Sequence, residues 1–344
     1  MKKLALFVLT GTLIFTACKK EEITDTTATT TTSSGFNSIE DYFSSKSPTA
    51  QEFTLNAEDG GEFTTDKGSK ITIPANAFFS ANGNVVTGII DVEFNEIFSK
   101  SDMIFSGVLP VSNGFNPGMV LNSGGEFSIE AFQNGDDLRV AENMFVEVEI
   151  PAQAVNGDNN FMELFIAGPV NNDTVVDWGF PVNNGDDPNN NWNDSIGGAS
   201  SFTFNSADGT YSISLDTLGW ANIDAFNWQI TYFDCTFILE IDSTLGVSAS
   251  LDNSNTTAFA VFEGQNAVWP VGVSGWGSIQ NDTILETHLA DVPLNLLVIS
   301  VISGDLYYGV LDITSPPPQP GLIYTIPMNL TSSSDLDQII EDLP

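Results

Sequence analysis

The sequence predicts an all-β protein built from two antiparallel β-sandwich domains. From residue 52 onward, short segments alternate apolar with polar side chains, as in residues 146–150, where valine or isoleucine alternates with glutamate. Asn-Gly and Gly-Gly pairs separate many of these segments, and such pairs favour tight turns between strands. No long stretch of this region keeps the spacing of an amphipathic helix. This combination is typical of half-buried antiparallel sheets rather than of a parallel α/β sheet.

The sequence also predicts where the two sandwiches divide. Residues 171–200 are crowded with Asn, Asp and Gly and contain Pro181 and Pro188. Such a composition favours a linker or a long surface excursion. The first sandwich is therefore expected over residues 52–170 and the second over residues 201–344.

Three local features complete the predicted body. Ser38 can cap a short helix before the first strand, and Ser334 can cap a C-terminal helix that ends the second sandwich. Residues 60–63 (Gly-Gly-Glu-Phe) recur as residues 124–127, each time leading into a strand. The repeat is short enough for coincidence, and it also suits equivalent turns in paired sheets.

The N-terminus carries a targeting segment that has to be separated from the fold. Lys2 and Lys3 precede an apolar run over residues 4–15, which is shorter than the roughly 20 apolar residues of a membrane span. Small residues lead directly into Cys18, and this arrangement resembles the bacterial lipobox. The resemblance implies that residues 1–17 are a lipoprotein signal peptide and that lipid is attached to Cys18. The alternative is an ordinary signal peptide beside an incidental cysteine.

The residues after the cysteine predict a location. Lys19-Lys20-Glu21-Glu22 resembles the charged tag that follows the lipidated cysteine in surface-exported lipoproteins of Bacteroidota. The alternative is a solvated charge cluster at a flexible start. The polar, Thr-rich residues 24–35 have no apolar group to bury, so residues 18–51 are interpreted as a lipidated tether. The expected location is the bacterial outer membrane, facing the cell surface, with the lipid on Cys18 as the membrane contact.

The charge of the chain excludes one class of partner. The formal net charge is −36, Arg139 is the only arginine, and no lysine or arginine follows it. Nucleic-acid binding needs a basic footprint that neutralises phosphates, so nucleic acid is excluded. The same imbalance favours cations.

Few residues suit nucleophilic or zinc-dependent catalysis. His288 is the only histidine, and it lies outside any Gly-x-Ser-x-Gly elbow. Cys235 lies in a β-branched and aromatic segment and is interpreted as a small buried hydrophobe. Clusters of His and Cys with the spacing of zinc ligands are absent from the sequence. Only paired carboxylates, which glycoside hydrolysis uses, remain open.

The linker supplies the candidate binding residues. Asp187, Asn189 and Asn191 occupy alternate positions, like the start of a calcium loop, although Trp192 stands where an EF-hand has Gly. The alternatives are a bound Ca²⁺ and a solvated linker.

Trp178 and Trp192 are candidates for stacking on a glycan, since both lie in this polar segment. The alternative for them is a core or linker contact.

Two segments resemble known families. Residues 68–78 (GSKITIPANAF) are similar to a ZU5-type β-sandwich signature, which implies a domain used for protein contacts over part of residues 52–150. Residues 292–309 resemble the transthyretin-like modules of secreted bacterial proteins. The whole arrangement is similar to uncharacterised Bacteroidota surface lipoproteins, and this resemblance implies location and fold more than activity.

These observations lead to two hypotheses of function. The first is a cell-surface lipoprotein that acts as a non-enzymatic binding or structural module for an extracellular protein or glycan and requires no cofactor. The second is a carboxylate-dependent, calcium-requiring enzyme that acts on glycans. A cleft with two carboxylates flanked by exposed tryptophan would favour the enzyme, and flat sheet faces would favour the module.

Overall fold

A computed structural model describes residues 35–112, 119–153, 162–167, 178–179, 200–226, 232–272, 277–290, 292–313 and 323–344. These residues belong to one compact unit. The structure is 54% strand and 11% helix, so the prediction of an all-β fold is confirmed. Among the helices of the described ranges, none combines the length and the apolar character needed to cross a bilayer.

The first body of the unit is a sandwich of two sheets. Sheet I has nine strands with the main order β1-β5-β7-β14-β10-β11, and β4, β6 and β8 are attached at its margins. Sheet II has five strands in the order β12-β13-β9-β3-β2. Their bounds are β1 (Gln51–Asn56), β2 (Gly61–Thr64), β3 (Lys70–Ile73), β4 (Phe78–Ser80), β5 (Ile89–Ile97), β6 (Val111–Ser112), β7 (Met119–Gln133), β8 (Asp136–Val140), β9 (Val146–Pro151), β10 (Glu163–Ala167), β11 (Trp178–Gly179), β12 (Ser201–Asn205), β13 (Thr210–Leu215) and β14 (Gly219–Phe226).

The alternating pattern of the strands places the core between sheets I and II. In β9 the valines and Ile150 are buried while Glu147 and Glu149 are exposed. The inner faces of both sheets contribute to one hydrophobic cluster, which includes Phe94 and Phe127 stacked at 5.3 Å between ring centroids. Burial of such alternate faces is the main stabilising contribution of a sandwich.

The second body is a single eight-stranded sheet, sheet III. Its strand order is β17-β16-β20-β21-β22-β15-β19-β18, and β15 with β22 is a parallel pair. The bounds are β15 (Tyr232–Ile241), β16 (Thr256–Phe262), β17 (Val268–Val271), β18 (Ser278–Gln280), β19 (Thr283–Ala290), β20 (Leu294–Ile302), β21 (Asp305–Ile313) and β22 (Ile323–Thr331). Every residue of β20 is buried, because both faces of this strand are covered.

Asn253 joins the two ends of sheet III. Its side-chain amide donates to the carbonyl of Gly272, just after β17, at 2.5 Å. Its side-chain oxygen accepts from the backbone N–H of Ile279 in β18 at 2.8 Å. The first and last strands of the order therefore approach each other, and the sheet encloses its own apolar face.

Three short helices cover the apolar surface between the bodies. They are α1 (Ile39–Ser44), α2 (Lys100–Ser106) and α3 (Ser333–Glu341). Ser38 caps α1 as predicted, whereas α3 is capped by Ser332, whose hydroxyl accepts from the N–H of Asp335, rather than by Ser334. Buried side chains of all three helices join the hydrophobic cluster of sheet III.

The structure corrects the predicted division between domains. Strands β12 and β13 continue sheet II through β9, and β14 pairs with β7 in the middle of sheet I. Residues 201–226 therefore belong to the first sandwich, and the second body begins at β15. The amino-acid composition predicted a linker over residues 171–200. It carries no information on pairing, so it could not indicate that the strands after residue 200 pair with strands far upstream.

Candidate functional site

A β-bulge in the middle of sheet I shapes the candidate site. The register of β7 with β14 shifts where Gly125 faces Ile223 and Ser123 faces Asp224, so Gly124 is the extra residue. Gly125 has a φ of +140°, and a Cβ on Gly124 would lie 2.9 Å from the Tyr211 hydroxyl. Both positions therefore require glycine, because a side chain would be strained at one and would collide at the other.

The bulge brings two carboxyl groups into the interior on the face of sheet I that points away from sheet II. Glu126 and Asp224 are both 0% exposed. Asn222 lies opposite Glu126 across the strands and donates from its amide to Asp224 Oδ2 at 2.5 Å. Asn222 Oδ1 in turn accepts from the hydroxyl of Ser123 at 3.2 Å. We call Glu126 and Asp224 the sealed pair.

Most oxygens of the sealed pair have no partner. Neither carboxylate oxygen of Glu126 has a hydrogen-bond donor, nor does Asp224 Oδ1. A buried charged group without a partner is costly, because water and other dipoles no longer stabilise it. The pair therefore needs either protons or a cation.

The electrostatics of the sealed pair follow from this burial. Burial raises the pKa of Glu126 well above its ordinary value of 4.5, and the carboxylate of Asp224 adds to the effect. Burial also raises the pKa of Asp224 well above 3.8, against the opposing hydrogen bonds of the Ser123 and Asn222 side chains. The same burial, with Asp224 as second cause, raises the pKa of Tyr211 to about 12.

A turn of the second body lies against the strand that carries the sealed pair. Asn266, in the turn between β16 and β17, donates from its side-chain amide to the carbonyls of Phe98 (3.1 Å) and Ser123 (3.0 Å). Its backbone N–H donates to Asn122 Oδ1, and its carbonyl accepts from the N–H of Ser123, both at 2.9 Å. The sealed pair thus lies beside the hydrogen-bonded junction of the two bodies.

A second set of carboxylates stands on the open part of the same sheet. Glu52, Glu93 and Glu130 are direct cross-strand neighbours on β1, β5 and β7. Glu130 also lines a pocket of about 200 Å³ with Asp137 and Leu218. Burial, then the charges of Glu93 and Asp137, raise the pKa of Glu130. We call Glu52, Glu93 and Glu130 the open row.

Most of the residues predicted as sites lie outside the described residues. These are the lipidation candidate Cys18, the calcium candidates Asp187, Asn189 and Asn191, and the glycan candidate Trp192. Within the described ranges, no group of three or more His, Cys, Asp or Glu side chains is placed to hold a metal ion.

Trp178 is the one predicted ligand-binding residue that is described, and the interpretation of it is corrected. It forms the edge strand β11, is 0% exposed, and donates from its indole nitrogen to the carbonyl of Leu109 at 2.9 Å. A buried ring has no free face for a sugar, so Trp178 fills the core, which was the alternative for it. The polar neighbours of Trp178 in the sequence gave no sign that its side chain is buried, because this burial depends on the pairing of β11 with β10.

The structure also places the remaining candidate residues. Cys235 is 2% exposed within sheet III, which confirms it as a buried hydrophobe. His288 belongs to strand β19, and its side chain lies outside the described part.

The sequence did not single out the sealed pair, although its signal was present: a Gly-Gly pair inside a strand marks a bulge, and Glu126 follows it directly.

Comparisons with known proteins add no further constraint to this geometry. No protein-family model matches the chain, and neither a curated protein nor a solved structure matches it. The two groups of carboxylates in sheet I are therefore the structural features from which a function is inferred.

Proposed function

We propose that the chain is a lipid-anchored protein of the bacterial outer surface whose β-sheet body acts as a non-enzymatic binding or structural module. The anchor is Cys18, supported by the basic and apolar residues before it and the charged residues after it. The ligand class is an extracellular protein or glycan. The resemblance of residues 68–78 to a ZU5-type sandwich supports a role in contacts rather than in catalysis.

The observation that carries the non-enzymatic role is the setting of the exposed carboxylates. The open row stands on the outer face of a sheet, and the pocket beside Glu130 measures about 200 Å³. Ligand pockets usually enclose about 300–1,000 Å³. The other carboxylate pair, Glu126 and Asp224, is sealed from any substrate. An open face suits the recognition of a surface better than the enclosure of a reacting sugar.

One observation favours the alternative, a carboxylate-dependent glycan-active enzyme. Glu93 and Glu130 are cross-strand neighbours, and the pKa of Glu130 is raised by burial and by the charge of Glu93. A carboxylic acid with a raised pKa beside a carboxylate is the pair that retaining glycosidases use. The bound Ca²⁺ predicted at Asp187, Asn189 and Asn191 belongs to this alternative as well.

A panel of soluble polysaccharides separates the two functions. For each polysaccharide, both retention of the chain and release of new reducing ends are measured, with the Glu93→Gln/Glu130→Gln variant as the matched control. The module is expected to be retained on some members without releasing reducing ends. Release that is lost in the variant would establish the enzyme instead.

The anchor has its own test. Mass spectrometry of the mature protein is expected to show a chain that begins at Cys18 and carries diacylglycerol. The Cys18→Ala variant should be released from the membrane fraction, because the thioether linkage needs the sulfur atom. An unmodified mature chain that begins elsewhere would remove the assignment to the outer membrane.

A further inference from the structure

Among the described residues, no cationic side chain neutralises the sealed pair. The cationic side chains within the described ranges have other positions: Lys46 pairs with Asp337, Lys67 with Asp102 and Lys70 with Glu62, Lys100 donates to the carbonyls of Phe262 and Pro344, and Arg139 is exposed. The two buried carboxyl groups therefore receive no counter-charge from the part of the chain that the structure describes.

Glu96 shows that this fold can satisfy a buried carboxylate when no ion is needed. Glu96 is 3% exposed and precedes Ile97, the cross-strand neighbour of Glu126. Its two oxygens accept from the hydroxyl of Thr65 (2.8 Å) and the amide of Gln51 (3.1 Å). Both oxygens of Glu126 are equally buried and have no donor at all. Glu126 therefore differs from Glu96 in lacking the hydrogen-bond donors that would stabilise a buried carboxylate.

Two further oxygen atoms without a partner lie on neighbouring elements. They are Asn95 Oδ1 and Gln265 Oε1, which are buried atoms on side chains that are themselves only half-buried. Asn95 lies on the same face of β5 as Ile97, and Gln265 precedes Asn266 in the turn that closes the site. Although Asn222 donates to Asp224, the elements around the sealed pair present more oxygen acceptors than donors.

We propose that Glu126 and Asp224 bind a hard divalent cation, with Ca²⁺ the best fit, at the junction between the sandwich and sheet III. A cation satisfies several acceptor oxygens at once, whereas one proton held between Glu126 and Asp224 Oδ1 would still leave the second oxygen of Glu126 without a partner. Ca²⁺ accepts six to eight carboxylate and carbonyl oxygens in flexible geometry, while Mg²⁺ usually keeps several waters. Asn95 and Gln265 are candidates for the neutral ligands.

The site would act as a structural clamp. Glu126 and Asp224 belong to β7 and β14, and the turn around Asn266 belongs to the second body. An ion held beside this turn would be enclosed when the two bodies come together, so its binding is linked to folding. This role is independent of the proposed surface function, because it needs no extracellular partner.

The test compares thermal unfolding of the purified chain after treatment with EDTA and after addition of Ca²⁺ to about 1 mM, a concentration that saturates most extracellular calcium modules. We expect Ca²⁺ to raise the unfolding midpoint by about 3 °C or more. Elemental analysis after dialysis should find about one retained Ca²⁺ per chain. The shift should be lost in Glu126→Gln and in Asp224→Asn.

Two matched variants control the assignment. Glu130→Gln removes a carboxylate four residues away on the same face of β7, and Asp187→Asn removes the calcium candidate of the linker; both should keep the shift. A wild-type chain that neither retains Ca²⁺ nor changes its midpoint would overturn the proposal and leave the pair protonated. A shift that survives in the Glu126 and Asp224 variants, or disappears in Asp187→Asn alone, would also overturn it.

Discussion

Glu126 and Glu130 have the same chemistry and opposite surroundings. They lie four residues apart on one face of β7, with Ser128 between them on that face. Glu126 is 0% exposed, Ser128 is 8% exposed, and Glu130 is open to solvent. The second body covers one end of this face and leaves the other end free. A single strand therefore carries an interior carboxylate and a surface carboxylate.

The free-energy cost of a charged side chain therefore depends on what covers it. In the open row, like charges oppose each other across strands, and solvent screens their repulsion. In the sealed pair, the same repulsion acts without water, and three of the four carboxylate oxygens have no donor. The open row is thus tolerated as it stands, while the sealed pair demands a proton or a cation.

The largest change in the free energy of unfolding is expected at Trp178, which lies in β11 at the edge of sheet I. Trp178→Ala should lower the free energy of unfolding by about 3–5 kcal/mol, because it leaves a cavity and removes the donor to the Leu109 carbonyl. Denaturant unfolding measures the change. Trp178→Phe is the matched control and should lose less, since most of the ring volume stays. A loss below about 1 kcal/mol for Trp178→Ala would contradict the burial of this ring.

A smaller effect of opposite sign is expected at the sealed pair. In the presence of EDTA at neutral pH, Glu126→Gln should raise the free energy of unfolding by about 1–3 kcal/mol, because the buried carboxyl must either stay charged without a partner or take up a proton that the unfolded chain does not hold. Glu130→Gln, in the solvated row, should change it by less than about 0.5 kcal/mol. Equal effects of the two variants would contradict the contrast between the two regions.

The pH dependence of stability tests the same contrast. In EDTA, the folded pKa values of Glu126 and Asp224 lie above their ordinary values of 4.5 and 3.8, so the folded state binds more protons than the unfolded chain. Their contribution is therefore present at low pH and is lost as the pH rises from these ordinary values through the raised ones. Asp102 acts in the opposite direction, since hydrogen bonding and charge pairing with Lys67 lower its pKa even though its burial opposes this.

Denaturant unfolding between pH 4 and pH 8 measures this dependence. The Glu126→Gln/Asp224→Asn double variant should lose the decline that the wild-type chain shows as the pH rises. Saturating Ca²⁺ should suppress the same decline in the wild-type chain. If the free energy of unfolding in EDTA depended on pH in the same way for the wild-type chain and the double variant, Glu126 and Asp224 would not be buried from water.

The smallest effect is expected in the open row. Glu93→Lys places a cation between Glu52 and Glu130 and should raise the free energy of unfolding by about 0.5–1 kcal/mol at low salt. The gain should shrink as salt is added, since solvent-exposed pairs are screened. Glu58→Lys makes the same change of net charge on an exposed turn and is the control. An equal gain in both variants would attribute the effect to net charge rather than to the row.

Several elements were predictable because their signals are local. The alternation over residues 146–150 indicated β9 to within one residue of its observed end, and Ser38 identified the start of α1 through its capping side chain. Each of these features depends on neighbours only a few residues away.

Other features were missed because they depend on distant partners. The boundary after residue 200 was misplaced, since β13 and β14 return to β9 and β7. Trp178 was a candidate for stacking on a glycan because it lies in a polar segment of the sequence, and its place in the core was the open alternative. The sealed pair was missed, because a glutamate after two glycines and an aspartate in a later strand become one site only when β7 and β14 pair and the second body covers them.

The all-β character of the chain and its acidity could be read from the amino-acid sequence, because they follow from residue periodicity and composition. Which of the many carboxylates are buried and which face solvent became clear only in the folded chain. Strand alternation assigns a side chain to one face of a sheet, but packing between sheets determines whether that face is dry.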